Sequence, residues 1–151
     1  MIEDLFRSDA YQTECTATVT AITHQGIVLN RTVFYPLGGG QAGDTGVLTL
    51  ADGSQIAIID TRKGKADDRG FTHEICHQPN VEKLDSLCKA ENPGLGHLWV
   101  GDTVTARIDW PRRLRMMRFH TASHLLCHIV PKLVNGCSIT PDYARIDFNM
   151  D

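Results

Sequence analysis

RFHTASHLLCHIVP, residues 118–131, breaks the strand-like rhythm of the chain before it. It belongs to the longer run RRLRMMRFHTASHLLCHIV, in which Leu114, Leu125, Leu126 and Ile129 recur at helical spacing. Pro111 suits the first turn of such a helix, where its missing N–H costs nothing, and Pro131 marks the stop. The pattern predicts a helix docked on the preceding residues through Leu114, Leu125, Leu126 and Ile129. His120 and His124 stand four residues apart. In a helix that spacing puts both imidazoles on one face, ~40° apart around the axis.

Upstream, the period is two. ECTATVTAI alternates apolar and polar residues, QGIVLNRTVFYP follows a turn at Gln25–Gly26, and GVLTL, SQIAIID and FTHEI come next. ADGS between GVLTL and SQIAIID is a hairpin signal. TRKGKADDRG (Thr61 to Gly70) reads as a charged, flexible connection, and KAENPGLGHLW as a looser polar stretch. In GDTVTARIDW, Val104, Ala106 and Ile108 alternate with Thr103, Thr105 and Arg107 as a half-buried strand. Downstream of the helix, Asn135–Gly136 supplies a turn signal and YARIDF alternates again. Strands first and a helix later place the chain in the α+β class. The expectation is a small β-barrel over 1–110, then a helix and a strand over 111–151. One helix and one strand cannot close a core, so the second part either packs on the barrel or is unfinished.

With 151 residues, 42% hydrophobic and 22% charged, the chain is ordinary for one domain or two small ones. A formal net charge of -3 argues against wholesale coating of nucleic acid but leaves room for a local basic patch. No apolar run approaches the ~18 residues needed to span a bilayer, and MIEDLFRSDAYQTE does not read as a signal peptide. Cys15, Cys76, Cys88, Cys127 and Cys137 are odd in number and irregular in spacing, with no Cys-x-x-Cys pair. Free thiols in a reducing cytoplasm are the expectation.

Three stretches carry candidate chemistry. A histidine pair at this spacing suits zinc, because both ring nitrogens converge beside the helix; two histidines on a solvated face are the plainer reading. Cys127 and His128 cannot complete the site, since they lie seven and eight residues from His120, ~10–12 Å along the axis. The metalloprotease motif also fails, because Thr121 stands where it needs glutamate. In NRTVFYPLGGGQAGDTG (Asn30 to Gly46), consecutive glycines permit positive φ and close ligand approach, or make a tight barrel turn. Neither a Walker-type loop nor a dinucleotide setting is present. Arg112, Arg113, Arg115 and Arg118 fall within seven residues at the helix start, either as a solvated face or as phosphate contacts.

TVFYPLGGGQAGDTG, followed by RFHTASHLL and then ARIDF, resembles the editing domain of alanyl-tRNA synthetase and, more nearly, its free-standing AlaX trans-editing relatives of the medium-length type. The likeness runs over essentially the whole chain, to Phe148. It implies zinc held by two histidines of His-x-x-x-His, here His120 and His124, and by two ligands of a later Cys-x-x-x-His. Only Asn149, Met150 and Asp151 follow RIDF. The resemblance therefore implies a truncated member, with half the ligands of one zinc ion lying past this chain. It also implies Thr32 as the residue discriminating serine, Gly38, Gly39, Gly40, Gln41 and Asp44 around the substrate, and Arg112, Arg113 and Arg115 on the tRNA acceptor end.

The implied activity is hydrolysis of Ser-tRNA-Ala or Gly-tRNA-Ala in the cytoplasm. An alanine pocket cannot exclude glycine and rejects serine weakly, so a second site must remove them. The competing expectation is a non-catalytic remnant that binds tRNA or a protein without stable metal. Metal binding by this chain alone is expected to be weak. Tight binding would direct attention to His73, Cys76 and His77.

Overall fold

The computed structural model describes residues 3–64, 68–69, 74–79 and 98–149. They form two compact units: 1–36 with 43–109, and 37–42 with 110–151. The sequence reading places the whole Gly-rich motif with the barrel, whereas Leu37–Ala42 groups with the helix.

In the first unit, β1 (Glu3–Asp4) leads into a short helix α1 (Leu5–Ser8) and pairs in parallel with β4 (Arg31–Thr32). Six further strands close a barrel: β2 (Glu14–Thr23), β3 (Gly26–Leu29), β5 (Gly46–Thr49), β6 (Gln55–Lys63), β7 (Ile75–Pro79) and β8 (Thr103–Ile108). Their order around the barrel is β2-β3-β7-β6-β5-β8, and every neighbouring pair is antiparallel. The fold is α+β with an N-terminal small barrel. Cys15, Ala17 and Val19 of β2 and Val104, Ala106 and Ile108 of β8 point inward, as strict alternation requires. Closure leaves none of these six strands as an open edge. Gly46 is where β5 meets β8, and a Cβ there would strike the Arg107 carbonyl oxygen. Phe34, Ile27, Leu29, Leu48 and Ile58 are fully buried, each contributing ~1.5–3 kcal/mol.

Two strand boundaries differ from the sequence reading. Thr61–Lys63, read as the start of a flexible connection, instead complete β6 by pairing with Ile75–His77. The cause is Thr61, fully buried with its hydroxyl donated to the Asp44 carbonyl at 2.8 Å. The strand expected over FTHEI begins at Ile75; Phe71–His73 lie outside the described residues, as do Cys88 and most of KAENPGLGHLW.

In the second unit, α2 (Trp110–Ile129) is followed by an antiparallel hairpin of β9 (Val134–Ile139) and β10 (Ala144–Phe148). Asn135–Gly136 is not the turn. Gly136 pairs with Asp147 inside β9, and the register shift there leaves Asn135 as the extra residue of a bulge. The chain turns at Thr140–Tyr143, where the Thr140 hydroxyl accepts the Asp142 and Tyr143 N–H groups.

The helix buries a different face from the one its leucines suggest. Arg113, Met116 and Ser123 are buried, whereas Leu125, Leu126 and Ile129 are 62%, 44% and 74% exposed; Leu114 is half-buried. The inward stripe runs 113, 116, 120, 123, with His120 half-buried, at the three-four spacing of one helix face. Because it contains an arginine and a histidine, apolar periodicity does not reveal it. No helix among the described residues is long and apolar enough to cross a membrane.

Candidate functional site

The histidine pair lies on α2 with the stacking that its spacing dictates. The His120 and His124 rings are nearly parallel, 10° apart, with centroids separated by 4.9 Å. His120 shares the buried face of Met116 and Ser123 and is half-buried, while His124 is exposed. Burial, and next the neighbouring His124, push the His120 imidazole below its ordinary 6.5, toward the neutral form that a metal requires.

The Gly-rich motif approaches this helix through Gln41, whose Oε1 lies 2.9 Å from His120 Nδ1. Gln41 is 4% exposed, and its backbone bridges Ile139 of β9 in parallel. On either side, Ile139 donates its N–H to the Gly40 carbonyl at 2.7 Å and Ala42 donates to the Ile139 carbonyl at 3.0 Å. Gly38 and Gln41 exchange two backbone hydrogen bonds around a tight turn. Gly40 has φ +80, and a Cβ on it would lie 2.9 Å from the Cys137 carbonyl oxygen. A side chain at this position would push the loop off β9. Gly38, Gly39, Gly40 and Gln41 thus come together with the histidine pair within one compact unit.

Thr32 and Asp44 lie in the other unit. Thr32 is fully buried, and its Oγ1 is 2.7 Å from His77 Nε2 and accepts the Phe34 N–H at 3.0 Å. His77 Nδ1 lies 2.8 Å from the Ile27 carbonyl, which only accepts, so Nδ1 carries the proton and Nε2 receives the Thr32 hydroxyl. The hydroxyl that the resemblance offers to a substrate serine makes both of these contacts inside the barrel. Asp44, expected around the substrate, clasps the chain on both sides of the glycines. Its Oδ2 accepts the Tyr35 N–H at 2.8 Å, and its own N–H donates to the Tyr35 carbonyl at 2.9 Å.

The arginines divide. Arg113 is 2% exposed and cannot serve as a phosphate contact from the surface, because it occupies the buried stripe. Arg112 is half-buried. Arg115 and Arg118 are exposed and line an open cleft of about 550 Å³ with Phe119, Ala122, Pro141 and Asp142. Arg118, present in the arginine run, gains its place only once the hairpin brings Pro141 and Asp142 beside it.

As metal donors, the two imidazoles suit zinc in kind: neutral nitrogen ligands, one of them held by a carbonyl on its far side. Among the described residues no group of three or more His, Cys, Asp or Glu could hold a metal ion. Burial pushes the Cys76 thiol up to about 11, and His77 is committed on both nitrogens; His73 lies outside the described residues. Cys15, Cys76, Cys127 and Cys137 are free thiols.

A family model described as tRNA synthetases class II (A) matches residues 5–112. The alanyl-tRNA editing protein AlaX-M of Methanosarcina barkeri is 36% identical over 157 residues, covering 100% of this chain and 58% of the relative. AlaX-M of Saccharolobus solfataricus is 36% identical over 155 residues, with the same two coverages. The alanine–tRNA ligase of Sulfurisphaera tokodaii is 32% identical over 149 residues, covering 95% of this chain and 14% of the ligase. The chain spans less than two thirds of the length of these AlaX-M relatives.

Proposed function

The chain belongs to the class II (A) family of tRNA synthetases, and from that premise we propose that it serves alanyl-tRNA editing: hydrolysis of the ester that joins serine or glycine to tRNA-Ala. The observation that carries this reading is the hydrogen bond between Gln41 and His120. It joins the two motifs on which the likeness to editing proteins rests, 79 residues apart in the chain, at one place in the fold. Similarity to AlaX-M proteins along the entire chain supports the same reading.

On this reading His120 and His124 hold one zinc ion, with two further donors from outside the described residues. When bound, zinc supplies a Lewis acid for the ester carbonyl and an acidified water for the attack. The chain's own residues do the rest. Gln41 orients His120, and the bare backbone of Gly38–Gly40 admits the aminoacyl end without side-chain obstruction. Arg115 and Arg118 offer guanidinium groups to phosphates of the acceptor end, with Phe119 as a stacking surface for a base.

A second reading, a binding module without metal, draws on the absence of a third donor among the described residues. Deacylation of Ser-tRNA-Ala, Gly-tRNA-Ala and Ala-tRNA-Ala in the presence of zinc separates the two. Editing requires serine or glycine to be released faster than alanine. A binding module retains the RNA and releases no amino acid faster than the ester hydrolyses unaided.

A further inference from the structure

Gln41 and His120 meet by a side-chain contact that also decides which ring nitrogen carries the proton. The amide oxygen Oε1 can only accept, so at 2.9 Å the facing Nδ1 must donate. We infer that Gln41 is a positioning residue that locks His120 as the Nδ1–H tautomer and leaves Nε2 as the one lone pair of that ring. The inference deepens the editing reading, on which its functional consequence rests.

Three features make the lock rigid. Gln41 is 4% exposed, so its side chain has little freedom to swing away. Its backbone is bridged to Ile139, and the flanking Gly40 and Ala42 are hydrogen-bonded to the same residue, which pins the loop against β9. The His124 ring, stacked at 10° and 4.9 Å, limits rotation of the His120 ring on one side. The Gly-rich motif therefore acts on the helix chemically as well as sterically. Its glycines allow the close approach to β9 that delivers one amide oxygen to one imidazole nitrogen. A ligating histidine needs its second nitrogen satisfied in this way, and loss of such a partner typically costs about 10–100-fold in metal affinity.

Long-range proton–nitrogen NMR of the metal-free, nitrogen-15-labelled chain reads the tautomer directly, without activity. His120 is expected to show a protonated Nδ1 and an unprotonated Nε2. A protonated Nε2 overturns the inference with no variant needed. Gln41→Leu, which removes the acceptor, is expected to abolish the single-tautomer pattern, whereas Gln41→Glu, which keeps one, retains it. An unchanged pattern in Gln41→Leu, or its loss in Gln41→Glu, overturns the inference. In a zinc titration followed at the His120 signals, Gln41→Leu is expected to raise the half-saturating concentration about tenfold or more. Half-saturation unchanged in Gln41→Leu counts against the lock. The editing reading is judged separately by deacylation, so either can fail while the other stands.

Discussion

Thr32 and His77 are joined side chain to side chain at 2.7 Å inside the barrel, both with no exposure to solvent. The pair continues through His77 Nδ1 to the Ile27 carbonyl, linking β4, β7 and β3. The Phe34 ring packs edge-on against the imidazole at 5.0 Å. This network gives Thr32 a structural task in the segment that leads to the glycines.

Thr32→Val keeps the shape and removes the hydroxyl, leaving His77 Nε2 and the Phe34 N–H unsatisfied. The loss should cost ~1–3 kcal/mol of stability, measured by equilibrium denaturation. If the full editing activity is present, the variant should slow release of serine and glycine alike. A loss confined to serine would mean that the hydroxyl faces the substrate after all.

His77 makes the barrel acid-sensitive. Burial is the main cause that lowers its pKa from 6.5 to about 4, opposed by the hydrogen bond to Ile27. The folded chain therefore refuses a proton that the unfolded chain accepts between those values. Stability is full above pH 6.5, declines as pH falls, by up to ~1.4 kcal/mol per pH unit, and levels off near pH 4. The whole contribution is on the order of 3 kcal/mol. Denaturation midpoints that stay flat between pH 7 and 4.5 would contradict this.

Much of the barrel is legible in the sequence because its strands obey a single local rule. In β2 and β8, alternation alone sorts Val19 and Val104 inward. Proline brackets α2 well, since Pro111 and Pro131 act on their own backbone. What fails is non-local. Thr61 is strand because it pairs with His77 and donates its hydroxyl to Asp44, and Asn135–Gly136 is strand because β10 pairs with it. At the site, the histidine pair is visible from spacing, but its partner Gln41 is 79 residues away and no local pattern reports it. Thr32 and Asp44 carry the family's motif letters, yet their hydrogen bonds inside the barrel appear only with the fold.

The arginine run should separate by burial. Arg115→Ala with Arg118→Ala should weaken binding of a single-stranded RNA end and reduce the slope of log affinity against log salt by ~1.4, at about 0.7 per phosphate contact. Arg113→Ala should leave that slope alone and lower stability, because it empties a buried position. Fluorescence anisotropy across a salt series checks the first, and thermal melting the second. An unchanged salt slope in the double variant would remove the cleft from the RNA-binding surface.

On the proposed editing reading, the histidine pair on α2 carries metal-dependent deacylation. The most direct measurement compares release of serine and glycine from tRNA-Ala by the chain at saturating zinc, by the chain with a chelator, and by a His120→Ala, His124→Ala variant at the same zinc concentration. Release is expected in the first case, with loss of at least two orders of magnitude in the other two, the scale on which an activated water acts. Release that is unaffected by chelator and by removal of both imidazoles would contradict it.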